Sequence, residues 1–352
     1  MKKNKYLVDL FSGCGGLSHG FENAGYKCIV GVDIDKPALK TFEYNHPHAK
    51  GLNLDLSKNE SINCIVKEVK NRKVELIVAG PPCQGFSLTG TRNENDIRNR
   101  LFYSVFKLAE KLKPRFIVIE NVHGIATLYN GRARQAVLDE FKRLGYSCSE
   151  KLIFAPDYGV PQMRKRMFFV GSLHNEAFIF PEPTHTEPNY VTCAEAIGDL
   201  PSLVDDIGSN KTSYDLPAQS DYQLKMRIGT NCLFNHVGTI HTELVKEVIR
   251  QVPEGGNHKN LPKGVGESRK FNEAWTRYHS QKPSKTIDTG HRNHFHYKWD
   301  RVPTARENAR LQSFPDRFVF LGTKTQQYKQ IGNAVPPLIG YIIGKQLQKQ
   351  YD

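Results

Sequence analysis

The chain has 352 residues, 39% hydrophobic and 24% charged, which suits a soluble globular protein of about two domains. No stretch approaches the ~18 consecutive apolar residues of a membrane span, and the apolar run after the basic start Met1-Lys2-Lys3-Asn4-Lys5 is too short, and broken by Asp9, for a secretory signal. A formal charge of +13 points to a polyanionic partner, and seven scattered cysteines with no Cys-x-x-Cys pair argue against a disulfide framework or a cysteine zinc site and for a reducing cytoplasm.

Residues 6–10 predict a strand, followed by a glycine-rich turn from Ser12 to Gly16 and a helix whose Leu17, Phe21 and Ala24 share a face. Residues 27–32 predict a second strand, ending in Asp33. Residues 74–79 predict another, which runs into Gly80-Pro81-Pro82-Cys83-Gln84-Gly85-Phe86-Ser87. Phe102, Val105, Phe106, Ala109 and Leu112 mark an amphipathic helix that stops near Pro114. A strand over 115–119 then ends in Glu120-Asn121. Val137, Phe141 and Leu144 mark a helix ending at Gly145, and residues 167–170 read as a further strand. Alternating strands and helices imply a mainly parallel sheet with helices on both faces.

From Pro181 to about residue 290 the texture changes to glycine, proline, histidine and polar residues. Residues 185–220 carry six acids and one lysine, and 221–295 carry twelve Lys/Arg against seven acids. This reads as a smaller loop-rich domain whose basic stretch faces the polyanion and whose acidic stretch faces away. Thr304, with Glu307 three residues on, then predicts a capped helix to Leu311, and an apolar helix over 335–347 closes the chain. The expected division is 1–184, 185–295 and a return to the first domain over 296–352.

The chemically interesting residues follow strand ends, where open α/β sheets bind their ligands. Two prolines stop regular structure and set the Cys83 thiol on a rigid segment, the position of a nucleophile or of a buried structural thiol. The turn after the first strand lacks the third glycine of a dinucleotide fingerprint, because Ser18 stands there. With Asp33 placed for a ribose diol, a nucleoside cofactor without a pyrophosphate, such as S-adenosylmethionine, fits better. Glu120 follows an apolar strand, and an isolated buried carboxyl there holds a proton it can donate to a ring nitrogen; the alternative is a structural helix cap. Arg164 and Arg166 are expected to point the same way along a strand. The histidines at 236, 241, 291, 294 and 296 have no ligand-spaced acids or cysteines, so no metal is expected.

Taken in order, these motifs resemble the DNA (cytosine-5)-methyltransferases along nearly the whole chain. They are Asp9-Leu10-Phe11-Ser12-Gly13-Cys14-Gly15-Gly16, Asp33-Ile34-Asp35, Asp55, Pro81-Pro82-Cys83-Gln84-Gly85-Phe86-Ser87, Glu120-Asn121-Val122, and Tyr158-Gly159-Val160-Pro161-Gln162 running into Arg164 and Arg166. They continue as Arg306-Glu307 through Leu311-Gln312-Ser313-Phe314-Pro315 and end in Gln330-Ile331-Gly332-Asn333-Ala334-Val335-Pro336. Asp33 stands where the family often has Glu, and Asn308 where it usually has a small residue.

The resemblance implies a Rossmann-like methyltransferase with a DNA-recognition domain, acting on duplex DNA with S-adenosylmethionine. It implies Cys83 as nucleophile, with Gln84, Glu120, Arg164 and Arg166 around the reacting cytosine. It implies a cofactor site of Phe11, Gly13, Gly15, Gly16, Leu17, Asp33, Ile34, Asp55, Pro81, Asn333 and Val335. Ser87, Arg92 and Arg98, on a loop after the nucleophile, and Thr286 near the end of the recognition domain are implied at the DNA. Arg227, Arg269, Arg277 and Arg292 are the candidate base readers within the basic stretch. A compact bacterial or phage restriction–modification enzyme follows, monomeric and nucleoid-associated, with a separate endonuclease as its counterpart. A tRNA cytosine-5 methyltransferase and an inactive DNA-binding relative are the alternatives; Cys-Phe-Thr of the first is absent, and Cys83 and Glu120, which the second would lose, are present.

Overall fold

The computed structural model describes residues 4–82, 97–174, 176–204, 206–265, 275–290 and 293–351, with backbone only for 97–100. The chain forms two compact units, one of residues 1–154, 165–182 and 335–352, the other of 155–164 and 183–334.

In the first unit β1 (Tyr6–Leu10), α1 (Gly16–Asn23), β2 (Lys27–Asp33), α2 (Lys36–Asn45), β3 (Lys50–Asn53), α3 (Asn59–Val69) and β4 (Val74–Ala79) follow one another. Then come α4 (Ile97–Leu112), β5 (Phe116–Val122), α5 (Arg132–Arg143), β6 (Ser147–Phe154), β7 (Lys165–Ser172) and the C-terminal helix Pro337–Tyr351. The sheet order is β3-β2-β1-β4-β5-β7-β6; β1 to β5 pair in parallel, and β7 runs antiparallel to both neighbours. Strand order reverses between β1 and β4, so a ligand crevice is expected at the carboxyl ends of those two strands.

One sheet face, with Val8, Leu10, Ile77 and Ala79, packs into a core with Ile62 and Ile65 of α3, Phe106 of α4 and Phe141 of α5. On the other side α1 lies hard against the C-terminal helix. A Cβ on Gly20 would fall 2.1 Å from the Pro337 carbonyl oxygen, so the close approach requires glycine.

Several expected bounds shift. The strand read at 115–119 runs to Val122 and contains Glu120 and Asn121, and the strand read at 167–170 starts at Lys165 and takes in Arg166. β3, β6, α2 and α3 were not anticipated.

The second unit is loop-rich, as expected. It holds α6 (Cys193–Ile197), α7 (Asp221–Arg227), α8 (Glu243–Gln251), α9 (Ala305–Leu311), α10 (Lys324–Asn333) and two-residue ladders. Residues 296–334 belong to this unit rather than to the first, because their buried side chains find partners here. Arg306 Nε donates to the Phe234 carbonyl at 2.8 Å, and Arg310 Nη1 to that of Ala196 at 3.1 Å. Thr304 caps α9 in a reciprocal box with Glu307, as predicted. Burial pushes the Glu307 carboxyl up, but Arg301, donating from both terminal nitrogens at 2.7 and 2.8 Å, outweighs it and holds the group well below the carboxylate range. Arg310 is fully buried between Asp199 and Asp316.

Candidate active site

The turn after β1 is built by its backbone. Phe11, Gly13 and Gly15 have φ of 58°, 54° and 95°, in the left-handed region where glycine is the unstrained residue. Gly13 N–H donates to Asp33 Oδ2 at 2.8 Å, and Asp35 N–H to Asp33 Oδ1 at 2.8 Å. Asp33 thus ties the end of β2 to the turn; burial raises its pKa. Gly16 and Leu17 open α1, and Ile34 is exposed beside Asp33. Asp33 pairs in register with Asn53 of β3, which brings Asp55 to the same edge. Hydrogen bonds from the Ser57 hydroxyl and N–H lower the Asp55 pKa. Among the described residues the buried Ser12 hydroxyl has no hydrogen-bond partner. A Cβ on Gly13 would meet nothing within 4 Å. An unsatisfied buried hydroxyl beside open space fits a polar ligand on this turn.

Beneath the turn, Asp9 is buried and accepts from the Ser18 hydroxyl. Burial pushes its pKa from 3.8 up to about 7. The folded protein therefore holds a proton that the unfolded chain releases between these values, and stability falls as pH rises through that window. Asp9→Asn is expected to flatten the dependence, gaining stability relative to wild type at about pH 8 compared with about pH 5. Chemical denaturation of both proteins at the two pH values tests this; equal pH slopes would show that Asp9 is not the group responsible.

Glu120 lies on β5, and the antiparallel register sets Val122 opposite Arg166 and Glu120 opposite Phe168. Glu120 and Arg166 are therefore diagonal neighbours on one face. Arg166 Nε lies 3.0 Å from Glu120 Oε1. Glu120 is thus not the isolated carboxyl that the sequence led one to expect. A Cβ on Gly80 would lie 3.6 Å from Glu120 Oε2, which places the carboxylate at the exit of β4, three residues before Cys83. On the opposite face Asn121 Nδ2 donates to the Pro81 carbonyl at 3.0 Å and anchors the start of the proline run. The sequence marked Asn121 only as a neighbour of Glu120. Cys83, Gln84, Ser87, Arg92, Arg269 and Arg292 lie outside the described residues, and Arg98 falls where only the backbone of α4 is described.

Arg164 does not pair with Arg166 along a strand, because β7 begins after it. It is buried in the second unit, donating to the carbonyls of Gly332 and Ala334 at 3.4 and 3.0 Å. It acts there as an anchor for the final motif. Gln312 Nε2 donates to the same Ala334 carbonyl at 2.6 Å. Asn333, at the end of α10, is exposed, and Val335 is buried. The Thr286 hydroxyl donates to the Met163 carbonyl at 2.6 Å.

Two of the four proposed base readers are corrected. Arg277 is buried and gives its donors to the carbonyls of His296, Ile249 and Val252 and to Asp300. Arg227 bonds Asp199 and the Leu216 carbonyl, with its guanidinium 3.8 Å from the centroid of the Tyr214 ring. Arg277 thus engages all three guanidinium nitrogens inside the protein, and Arg227 its Nε and Nη2. Asp199, from the stretch read as facing away, is fully buried between Arg227 and Arg310. His236 is likewise engaged, with Thr304 and the Pro201 carbonyl.

A family model for C-5 cytosine-specific DNA methylases matches residues 6–349. The type II methyltransferase M1.HphI of Haemophilus parahaemolyticus is 37% identical over 97% of this chain and 86% of its own length. M.DdeI of Desulfomicrobium norvegicum is 34% identical over 98% and 89%. A crystal structure described as a prophage-encoded DNA modification methyltransferase of E. coli superposes with a TM-score of 0.77 at 28% identity, covering 98% of each chain. The S. pombe Dnmt2 methyltransferase, at 16% identity, 99% coverage of this chain, 100% of its own and a TM-score of 0.62, shares the fold. The chain belongs to the C-5 cytosine-specific DNA methylase family and is a DNA (cytosine-5)-methyltransferase.

Proposed function

We propose that this enzyme methylates C5 of a flipped-out cytosine within a specific duplex sequence, through a covalent bond between Cys83 and C6. The observation that carries the reading is the Glu120–Arg166 pair standing beside Gly80, at the entry to Pro81-Pro82-Cys83. S-adenosylmethionine would supply an electrophilic methyl group, its sulfonium sulfur leaving as a neutral thioether with the electrons of the broken S–C bond. Its methionine end suits the turn at residues 13–17 and the unsatisfied Ser12 hydroxyl, its adenine Phe11 and Asp55, and its ribose Asp33. Ile34, Pro81, Asn333 and Val335 are the remaining candidate contacts.

Cytosine C5 is a poor nucleophile until the ring is activated. The Cys83 thiolate would add to C6, with electrons moving through C5 as Glu120 holds N3 and the 4-amino group and Arg166 the O2 side. C5 would then take the methyl group. Loss of the C5 proton to water and elimination of the Cys83 sulfur would restore aromaticity. A stacked base offers no access to these atoms, so extrusion from the duplex is required.

Residues 183–334, with Arg269 and Arg292 as the remaining reader candidates, are proposed to choose the sequence. Ser87, Arg92 and Arg98 are proposed to contact DNA near the reacting base. Among the described residues no helix is long and apolar enough to cross a membrane. We place the enzyme at cytoplasmic DNA as a monomer, with a separately acting restriction endonuclease as its counterpart. Bisulfite sequencing of DNA from cells expressing the chain is expected to show 5-methylcytosine at one recurring sequence. Unmodified DNA, or modification confined to RNA, would overturn the reading.

A further inference from the structure

The mechanism leaves unused a buried histidine under the cofactor turn. His46 follows α2, is 1% exposed, and stacks on Phe42 with ring centroids 4.6 Å apart. Its Nδ1 lies 2.7 Å from Glu22 Oε2 of α1, and its Nε2 lies 3.2 Å from the Gly15 carbonyl oxygen. The other Glu22 oxygen accepts from Cys28 N–H of β2 at 3.2 Å. A chain of hydrogen bonds therefore runs from β2 through Glu22 and His46 to the middle of the turn. The two ring nitrogens thus tie Glu22 of α1 to the Gly15 carbonyl of the turn.

The fit at Gly15 is tight. Its φ is 95°, and a Cβ there would lie 2.4 Å from His46 Nε2. The turn thus rests directly on the imidazole, which shares the Gly15 carbonyl with the His19 N–H of α1 and so bears on the Gly15–Gly16 peptide plane at the start of that helix. His19 completes a trio with Glu22 and His46 whose ligand atoms lie within 4.8 Å of one another, which makes a metal ion the competing explanation.

We propose that His46, held by Glu22, is a positioning residue that sets the turn at residues 13–17 for cofactor binding. The inference rests on the reading that this turn holds S-adenosylmethionine. It acts through the backbone, touches no reacting atom, and so bears on affinity rather than on the chemical step.

The test uses the full-length protein and S-adenosylmethionine, with equilibrium binding and single-turnover methyl transfer at saturating cofactor measured side by side. His46→Ala is expected to weaken binding about ten-fold, the loss of a charge-assisted hydrogen bond, with the saturated rate within about two-fold of wild type. Glu22→Gln keeps the shape and an acceptor for Nδ1 but removes the carboxylate charge from that hydrogen bond, and is expected to weaken binding about three-fold. This milder variant keeps the proposal testable if His46→Ala fails to fold. Binding within two-fold of wild type in every folded variant overturns the proposal. So does a stoichiometric transition metal in the purified wild-type protein, lost in His46→Ala, which would assign the trio to coordination. Failure of the wild-type protein to bind S-adenosylmethionine at all would instead sink the cofactor reading, so the two failures are distinguishable.

Discussion

Cys83→Ala is expected to take methyl transfer below detection and to abolish a denaturation-resistant adduct that the wild-type enzyme forms with duplex DNA carrying 5-fluorocytosine at its target. Fluorine cannot leave as a proton does, so the covalent species is trapped after methyl transfer when cofactor is present. An ordinary thiol, with a pKa near ~8.5, is only a few per cent thiolate at neutral pH, so the site must favour the anion. Arg166 of β7, paired with the Glu120 carboxylate beside Gly80, is the described cation proposed for that task. Three of the other cysteines make poor substitutes. Burial pushes the Cys14 thiol up to about 12 and the Cys28 thiol well above its ordinary value, and both are shut off from solvent. Cys64 is exposed but sits on α3. Denaturing gels of wild type and Cys83→Ala with the fluorinated duplex give the answer. An adduct that persists in the variant would mean that another group makes the bond.

Much of the first unit was legible because its strands obey simple rules. β1 and β4 are short apolar runs buried on both faces, bounded by turn residues, and their bounds match the reading from sequence. β6 escaped because it is an edge strand of polar and half-buried residues, Ser147 to Phe154, with little alternation. α2 and α3 carried signals that went unread. Asp35 caps α2 with a proline in its first turn, and Ile62, Ile65 and Val69 fall on one face of α3.

Side-chain partnership was the harder matter. Nothing local tells a buried, paired arginine from one that faces a ligand. Arg277 meets Asp300 and Arg227 meets Asp199, partners 23 and 28 residues away. Burying them unpaired would be costly, so their pairing follows from burial, and burial follows from the fold rather than from composition. The pairing of Arg164 with Arg166 failed for a related reason. Alternation holds only inside a strand, and after the short 3-10 turn Ala155–Tyr158 the segment with Gly159 and Pro161 is not extended, so the strand starts only at Lys165. The placement of Glu120 toward the end of a buried strand, by contrast, was legible from the apolar run before it.

That position gives the second large effect. Glu120→Gln is expected to slow single-turnover methyl transfer by about 10²-fold or more while S-adenosylmethionine binding stays near wild type. Glutamine keeps the length and planarity of the side chain, so packing beside Gly80 and Phe168 should survive. It loses the charge that Arg166 faces at 3.0 Å and the ability to hold a proton at N3 of the base. The turn at residues 13–17, proposed to hold the cofactor, is tied to Asp33 of β2, which is why affinity should be spared. The two measurements together separate the roles. A slow enzyme that still binds cofactor places Glu120 at the reacting ring. Loss of both, with a lowered melting temperature, would make the Glu120–Arg166 pair a structural bond between β5 and β7. An unchanged rate would remove Glu120 from the mechanism and leave activation of the ring to groups outside the described residues.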